Sequence, residues 1–133
     1  MYRIRILFLI VFVLLTGCFK QETVRGIGEG EFWKAHVVYE VTDSNLYDSG
    51  GIEYTGDEVL IYVTYTVITG DGGSLNGEFY PQENQTAESF GTTITNHPPT
   101  KDEAIISLNH SYIEIKWQTN TGEYEEKINL KVN

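Results

Sequence analysis

Residues 112–132 read YIEIKWQTNTGEYEEKINLKV, and this stretch decides the fold class. Ile113, Ile115 and Trp117 alternate with polar residues, which indicates a β-strand with one buried face. The TNTG that follows contains an asparagine and a glycine, which tolerate the positive φ angles of tight turns. Because a second alternating run follows the turn, the sequence predicts a C-terminal antiparallel hairpin with one face in solvent.

Strand patterns also fill the middle of the chain. Residues 32–42 alternate apolar and polar side chains, with Trp33 and Val41 at the two ends of the apolar face. Residues 58–69, EVLIYVTYTVIT, are rich in β-branched and aromatic residues on both faces, which is typical of a central strand. The other segments are predicted as short strands (77–81, 90–95 and 104–108) and as loops (42–51 and 70–77).

These patterns predict an all-β fold, an immunoglobulin-like antiparallel β-sandwich of about seven strands. No stretch after residue 18 shows convincing helical periodicity, and turn signals recur at short intervals over roughly 100 residues. A closed barrel fits less well, because the strands differ in length and the loops are long. We assign the sandwich to residues 32–133.

A short apolar segment lies near the start of the chain. Arg3 and Arg5 lead into ILFLIVFVLL, an unbroken apolar run over residues 6–15. Ten residues of helix rise about 15 Å, whereas a bilayer core of about 30 Å needs roughly 20 residues. The run is therefore too short for an ordinary transmembrane helix, and it has the form of a secretory signal with a positive start.

The next residues, Leu15-Thr16-Gly17-Cys18, resemble the lipobox of bacterial lipoproteins. The resemblance implies that residues 1–17 are a signal peptide, cleaved between Gly17 and Cys18, and that the Cys18 thiol carries a diacylglyceryl lipid. Its acyl chains, of the palmitate class, would anchor the protein to the cell membrane, facing outward. The alternative from the residues alone is a buried or free thiol. Cys18 is the only cysteine, so an intrachain disulfide is excluded.

Residues 18–31 connect this cysteine to the predicted sandwich. Residues 19–31, FKQETVRGIGEGE, are polar and contain three glycines, which predicts a lipidated flexible tether. The glycines precede a strand pattern, and no helical pattern follows them. They therefore do not indicate a nucleotide-binding loop.

Two further stretches are similar to small exported lipoproteins of bacilli and their relatives. They are SYIEIKWQTNTGEYEEKINL, which resembles a closing hairpin in those proteins, and GEGEFWKAHVVYE, which resembles a lead into a Trp-Lys strand. The resemblance implies an immunoglobulin-like sandwich on a lipid tether. The activity of those proteins is largely uncharacterised, so the resemblance implies no catalytic residues.

The charge of the chain is strongly acidic after the signal segment. Without Arg3 and Arg5, seven Lys and Arg face 19 Asp and Glu, a net charge of −12. Residues 35–100 contain ten acidic residues and no Lys or Arg. Such a surface repels nucleic acid and anionic lipid heads. It leaves basic peptides, metal ions or basic cell-wall groups as partners, or a role in solubility alone.

Calcium is the sharpest ligand hypothesis from the sequence. Asp43, Asn45 and Asp48 share one glycine-containing segment, and Asp71 lies in GDGG. Calcium takes six to eight oxygen ligands, and extracellular modules bind it weakly. The spacing differs from an EF-hand loop, and acidic glycine-rich loops also occur as solvated turns without a metal.

Tyrosines near predicted loops form a second candidate site. Tyr47, Tyr54 and Tyr80 lie in or beside these loops, and together they would form a surface for a sugar or a peptide. The alternative is that these rings belong to the core or to cross-strand pairs.

No catalytic or metal motif is present. His36, His97 and His110 lack metal-ligand spacing, and neither a nucleophile elbow nor a zincin motif occurs. The sequence thus predicts a membrane-anchored extracytoplasmic lipoprotein that is a non-catalytic binding or interaction module, with no cofactor besides its lipid. The alternatives are an accessory or inhibitory protein for a cell-envelope enzyme, and a weak calcium-binding module.

Overall fold

The structure, a computed structural model, describes residues 20–133. These residues form nine strands and one helix, and each element has the following bounds: β1 (Glu22–Glu29), β2 (Trp33–Val41), β3 (Leu46–Tyr54), β4 (Leu60–Ile68), β5 (Ser74–Phe79), β6 (Ala87–Thr95), α1 (Lys101–Asn109), β7 (Tyr112–Thr119), β8 (Glu123–Asn129) and β9 (Lys131–Val132).

The strands form two antiparallel sheets that pack face to face. Sheet A has the order β6-β3-β2-β1-β9, and sheet B has the order β5-β4-β7-β8. This confirms the predicted all-β sandwich, with nine strands in place of seven in the described part of the chain. The predicted C-terminal hairpin is formed by β7 and β8, which pair from Tyr112↔Asn129 to Gln118↔Glu123.

The core confirms the alternation read from the sequence. Along β2, every second residue from Trp33 to Val41 is buried. Ile113, Ile115 and Trp117 of β7 are buried opposite them. Burying a side chain of this size contributes about 1.5–3 kcal/mol, so the two alternating strands supply much of the drive for packing the sheets together.

The prediction of a flexible tether over residues 18–31 is wrong for Glu22–Glu29, which form β1. This strand pairs with β2 along its whole length and with β9 at Gly26 and Ile27. Its glycines provide close packing: a Cβ at Gly28 would lie 2.5 Å from Cγ2 of Ile128 and 2.7 Å from the Asn129 carbonyl oxygen. The folded domain therefore begins at residue 22, ten residues before the predicted boundary.

The loop predicted over residues 42–51 is also wrong for most of its length, because β3 begins at Leu46. β3 pairs with β2 on one side and with β6 on the other. Ladder hydrogen bonds on both edges outweigh the low strand propensity of its aspartate and glycines. Similarly, β5 begins at Ser74, inside the segment predicted as a turn.

The short strand predicted over residues 104–108 is a helix, α1. Thr100 caps it: its hydroxyl accepts a hydrogen bond from the Glu103 amide, and the Glu103 carboxylate accepts one from the Thr100 amide. Ala104 and Leu108 are buried one turn apart, while Ile106 is exposed. The helix carries only one narrow apolar stripe, so its periodicity is weak and the segment resembles a strand.

The sandwich has two distinct ends. The helix end contains α1, the start of β1, the β2–β3 turn and the β4–β5 turn. The opposite end, which we call the aromatic end, contains the rings of Phe32, Trp33, Tyr54, Trp117 and Tyr124. The centroids of contacting rings there lie 5.1–6.3 Å apart. The aromatic end thus joins the two sheets through edge-to-face and tilted contacts.

The two sides of the sandwich differ as well. On one side the chain leaves β8 of sheet B and enters sheet A as β9, which pairs with β1 and closes that side. On the other side, β5 and β6 are the edge strands of their sheets and do not pair with each other. We call the β5–β6 side the open side.

Candidate functional site

A cleft runs between the two sheets on the open side. It has a volume of about 290 Å³, and Leu75 and Phe90 form part of its apolar wall. The polar wall comprises Asp48 from the inner face of β3 and Asp71 from the β4–β5 turn, together with nearby hydroxyl groups. The Phe90 ring packs on Tyr65 with centroids 4.9 Å apart and limits the cleft toward the aromatic end. We call this feature the acidic cleft.

The two carboxyl groups of the acidic cleft have different environments. Burial, together with the negative charge of Asp71, raises the pKa of Asp48 to about 6. A hydrogen bond from the Thr69 hydroxyl and one from the Gly73 amide (3.2 Å) lower the pKa of Asp71. Burial and the charge of Asp48 raise the pKa of Tyr39 to about 12. The cleft is thus an electronegative space that favours a positively charged occupant.

The predicted calcium set is not assembled in this cleft. Asp48 and Asp71 line it, but Asp43 and Asn45 lie in the β2–β3 turn, where the Asn45 amide donates to the Thr42 hydroxyl. Within residues 20–133, no group of three or more His, Cys, Asp or Glu is placed to hold a metal ion. Two carboxylates fall short of the six to eight oxygen ligands that calcium takes. The β2–β3 hairpin places Asp43 and Asn45 in its turn and Asp48 in the strand β3. The spacing of these residues along the sequence does not show this separation.

A second depression covers the outer face of sheet A around His36. Its volume is about 910 Å³, and it is shallow. Gly51 lies beside His36 in the β2–β3 register, and a Cβ there would be 3.3 Å from the imidazole Cε1. The missing side chain at Gly51 therefore leaves the imidazole at the floor of the depression.

The charges of the His36 depression largely cancel. Arg25, Lys34 and Lys131 line it, but so do Glu29, Glu53 and Glu88. Lys34 forms an exposed ion pair with Glu29 at 3.6 Å. Burial and the neighbouring Arg25 lower the pKa of His36, so the imidazole is neutral at physiological pH. The depression combines apolar residues with charges of both signs, so it does not select one class of ligand.

The predicted tyrosine surface is wrong, because the structure scatters its three rings. Tyr54 is buried at the aromatic end, 5.1 Å from Trp33. Tyr47 lies on β3, paired with Glu40 and Ile94, and Tyr80 follows β5 in the other sheet. Tyr54 is thus a core residue, as the alternative reading held.

Tyr80 instead forms an exposed pair with Tyr62 on the outer face of sheet B. The ring centroids are 4.7 Å apart, and Tyr80 is 71% exposed. The Tyr62 hydroxyl donates to the Glu78 carboxylate, and this hydrogen bond raises the pKa of Tyr62 to about 12. The two rings pack against each other at an interplanar angle of 32°, so each already covers part of the other.

The sequence reading missed a structural carboxylate, Glu126 of β8. Its carboxylate accepts hydrogen bonds from the backbone amides of Glu31 and Phe32, with the Phe32 contact at 3.2 Å. These bonds join the β1–β2 turn to β8, across the two sheets. The sequence indicates this role only through the position of Glu126, which shares a strand face with Ile128 and Leu130. Both of those residues are buried, whereas the opposite face of β8 is exposed to solvent.

The predicted lipidation and cleavage residues, Cys18 and Gly17, lie outside the described residues. The first described residue is Lys20, and β1 begins at Glu22. Within residues 20–133, α1 is the only helix and it falls short of the length and apolarity needed to cross a membrane.

Comparison with known proteins gives no relative. No family model, no curated protein and no solved structure matches the chain significantly.

Proposed function

We propose that the chain is a membrane-anchored, outward-facing lipoprotein that acts as a non-catalytic binding module. The observation that carries this proposal is the Leu15–Cys18 lipobox pattern, which ends four residues before β1. The lipid would thus be attached directly to a folded strand at one defined end of the domain.

The short connection fixes how such a domain would stand on a membrane. An extended chain spans at most about 3.6 Å per residue, so the four steps from Cys18 to Glu22 reach about 14 Å. Because β1 starts at the helix end, this end would face the bilayer. The aromatic end would point away from the membrane, and the open side would be accessible laterally.

Binding is proposed in place of catalysis because of how the histidines are used. His36 lies at the floor of a depression of mixed charge, and the His110 Nδ1 contacts the Ile106 carbonyl oxygen at 2.8 Å. In the described part of the chain, neither imidazole hydrogen-bonds to a hydroxyl or carboxylate side chain. A general base would need such a contact to activate a nucleophile.

Replacement of the cysteine tests the anchor. Cells that express the wild-type chain, Cys18→Ala and Cys18→Ser are fed a radiolabelled fatty acid. We expect label only in the wild type, and both variants should accumulate as uncleaved precursor. Serine keeps the size and polarity of the cysteine side chain, so Cys18→Ser controls for the loss of the side chain in Cys18→Ala. Label on either variant would refute the anchor.

The binding function is tested separately. The anchored chain is recovered from membranes under mild detergent, and co-purifying material is quantified against it. A partner in stoichiometric amount supports the proposal. Turnover of a cell-wall polymer by the purified chain would overturn its non-catalytic part.

A further inference from the structure

The edge strand β6 offers an unpaired backbone on the open side. β6 is a nine-residue strand, and within residues 20–133 it pairs with β3 on one edge only. Opposite Gly50 the strand contains a bulge at Phe90 and Gly91, where Gly91 has φ +77°. Beyond the bulge, Thr92–Thr95 is exposed and uncharged, and Ile94 is 60% exposed.

Edge strands of this kind usually carry protection against strand addition. Lysine, proline or an inward-pointing charge on the edge are the common devices. The run Thr92–Thr95 has none of them, and threonine and isoleucine favour strand pairing. A β-bulge is also a protective device, so it is the run Thr92–Thr95, beyond the bulge at Phe90 and Gly91, that is open to another strand.

A strand added to β6 would cover the mouth of the acidic cleft. β6 forms one lip of this cleft through Phe90, Gly91, Thr93 and Thr95. Alternate side chains of an added strand point to the same face of sheet A as the inward side chains of β6. One of these side chains would enter the cleft, toward Asp48 and Asp71.

The fold concentrates negative charge on this side. β3, β5, β6 and the β4–β5 turn contribute five of the ten acidic residues of segment 35–100, and no Lys or Arg: Asp48, Glu53, Asp71, Glu78 and Glu88. The seven Lys and Arg of the described chain lie elsewhere: Lys20, Arg25, Lys34, Lys101, Lys116, Lys127 and Lys131. Charge complementarity thus selects a cationic partner for the open side, and it disfavours a second copy of a chain whose residues 20–133 have a net charge of −12.

We propose that the β6 edge binds an extended basic peptide segment by strand addition, with a lysine or arginine side chain placed in the acidic cleft between Asp48 and Asp71. The inference deepens the proposed function by naming the class of partner. Main-chain hydrogen bonds to Thr92–Thr95 supply affinity, and the cleft supplies selection for the cation.

Peptide titration tests this proposal with the full-length chain purified in detergent, whether or not it is lipidated. The probe is an acetylated and amidated nonapeptide of alternating threonine and valine with one central lysine. Matched peptides carry glutamine or glutamate at the centre. We expect the lysine peptide to bind at least tenfold more tightly than the glutamine peptide, and the glutamate peptide to bind most weakly.

Two variants locate the selection in the cleft. Asp48→Asn and Asp71→Asn should each reduce the lysine-to-glutamine affinity ratio, whereas Asp43→Asn, in the adjoining turn, should leave it unchanged. High salt should reduce the same ratio, because it screens the charge contact. An unchanged ratio in both cleft variants would overturn the placement of the cation.

Backbone methylation tests strand addition itself. Only alternate amides of an added strand face β6, so N-methylation of one alternate set should abolish binding while the other set has little effect. Amide resonances of Thr92–Thr95 should shift on titration. The proposal is refuted if binding tolerates both methylation sets, or if no peptide binds at millimolar concentration. It is also refuted if the shifted amide resonances are confined to the His36 depression, or if the β6 edge is already covered in a dimer of the chain. None of these results bears on the lipid anchor, which is measured by fatty-acid labelling.

Discussion

Replacing Asp48 with asparagine is expected to stabilise the domain at neutral pH. The Asp48 carboxyl group lies on the inner face of β3 and lines the acidic cleft, where burial and the charge of Asp71 raise its pKa to about 6. Within residues 20–133 it accepts no hydrogen bond and has no cationic partner. Asparagine has nearly the same shape and removes the charge without breaking a contact.

The magnitude follows from the difference between the folded and unfolded pKa. The pKa of Asp48 rises from 3.8 to about 6, and each pKa unit corresponds to about 1.4 kcal/mol. The full difference is about 3 kcal/mol, and partial solvent screening of Asp48 reduces it to about 2 kcal/mol. For a domain of this size, such a gain raises the melting temperature by about 6–10 °C.

The sign of the pH dependence is determined by the direction of this shift. The folded state holds the Asp48 proton more tightly than the unfolded state does. The contribution of Asp48 to stability is therefore greatest below pH 4, and it is lost as the pH rises through about 6. His36 acts in the opposite direction in the same range, because its pKa is lowered. The difference between wild type and Asp48→Asn cancels the His36 contribution.

Thermal unfolding followed by circular dichroism from pH 4 to pH 7 measures this difference. The two proteins should differ by less than about 0.5 kcal/mol near pH 4, and the asparagine variant should be more stable by about 2 kcal/mol at pH 7. Asp43→Asn provides the matched control, since Asp43 is exposed in the β2–β3 turn, and should leave the free energy of unfolding at pH 7 close to that of wild type. A variant that is less stable than wild type at pH 7 would refute the reasoning, because it would mean that the carboxylate has a stabilising partner.

Three further predictions concern the frame of the sandwich. Glu126→Ala should lower the free energy of unfolding by about 1–2 kcal/mol in urea titration, because it removes the acceptor for two backbone amides. Glu125→Ala, at an exposed position, should change this free energy little. Equal losses in the two variants would contradict the role of Glu126. Thr100→Ala should cost about 1 kcal/mol by the same assay and Thr100→Ser should restore it, whereas a neutral alanine variant would show that the cap adds nothing. The orientation on the membrane is tested in the lipidated protein with a fluorophore on Ser44→Cys at the helix end or on Asn120→Cys at the aromatic end. Quenchers embedded in the bilayer should quench the fluorophore at residue 44 more strongly. The reverse order would exclude the proposed orientation.

The sequence predicted the sandwich where each strand contains its own signal. β2 and β7 alternate apolar and polar residues over nine and eight positions, so the side chains alone determine which face is buried. β4 was predicted by its β-branched and aromatic content. In these elements local preference and tertiary burial favour the same structure.

The errors occur where the signal is tertiary. β1 and β3 contain glycines that indicate flexibility in isolation, but here they allow Ile128 and His36 to approach closely. α1 was missed because its buried stripe is limited to Ala104 and Leu108, although the Thr100–Glu103 capping box was present in the sequence. For the candidate site, acidic composition over residues 35–100 was visible from the start, but its concentration on the open side depends on a strand order that spacing does not reveal.

The pairing of β1 with β9 also has a consequence for how the chain is made. β1 completes its pairing at Gly26 and Ile27 with β9, which lies about 100 residues further along the chain. A polypeptide emerges from the ribosome N-terminus first, so β1 keeps one unsatisfied edge until residues 131–132 arrive. Sheet A therefore cannot be completed before β9 has been synthesised, and a chain that is threaded across a membrane would complete this sheet only after residues 131–132 have passed through.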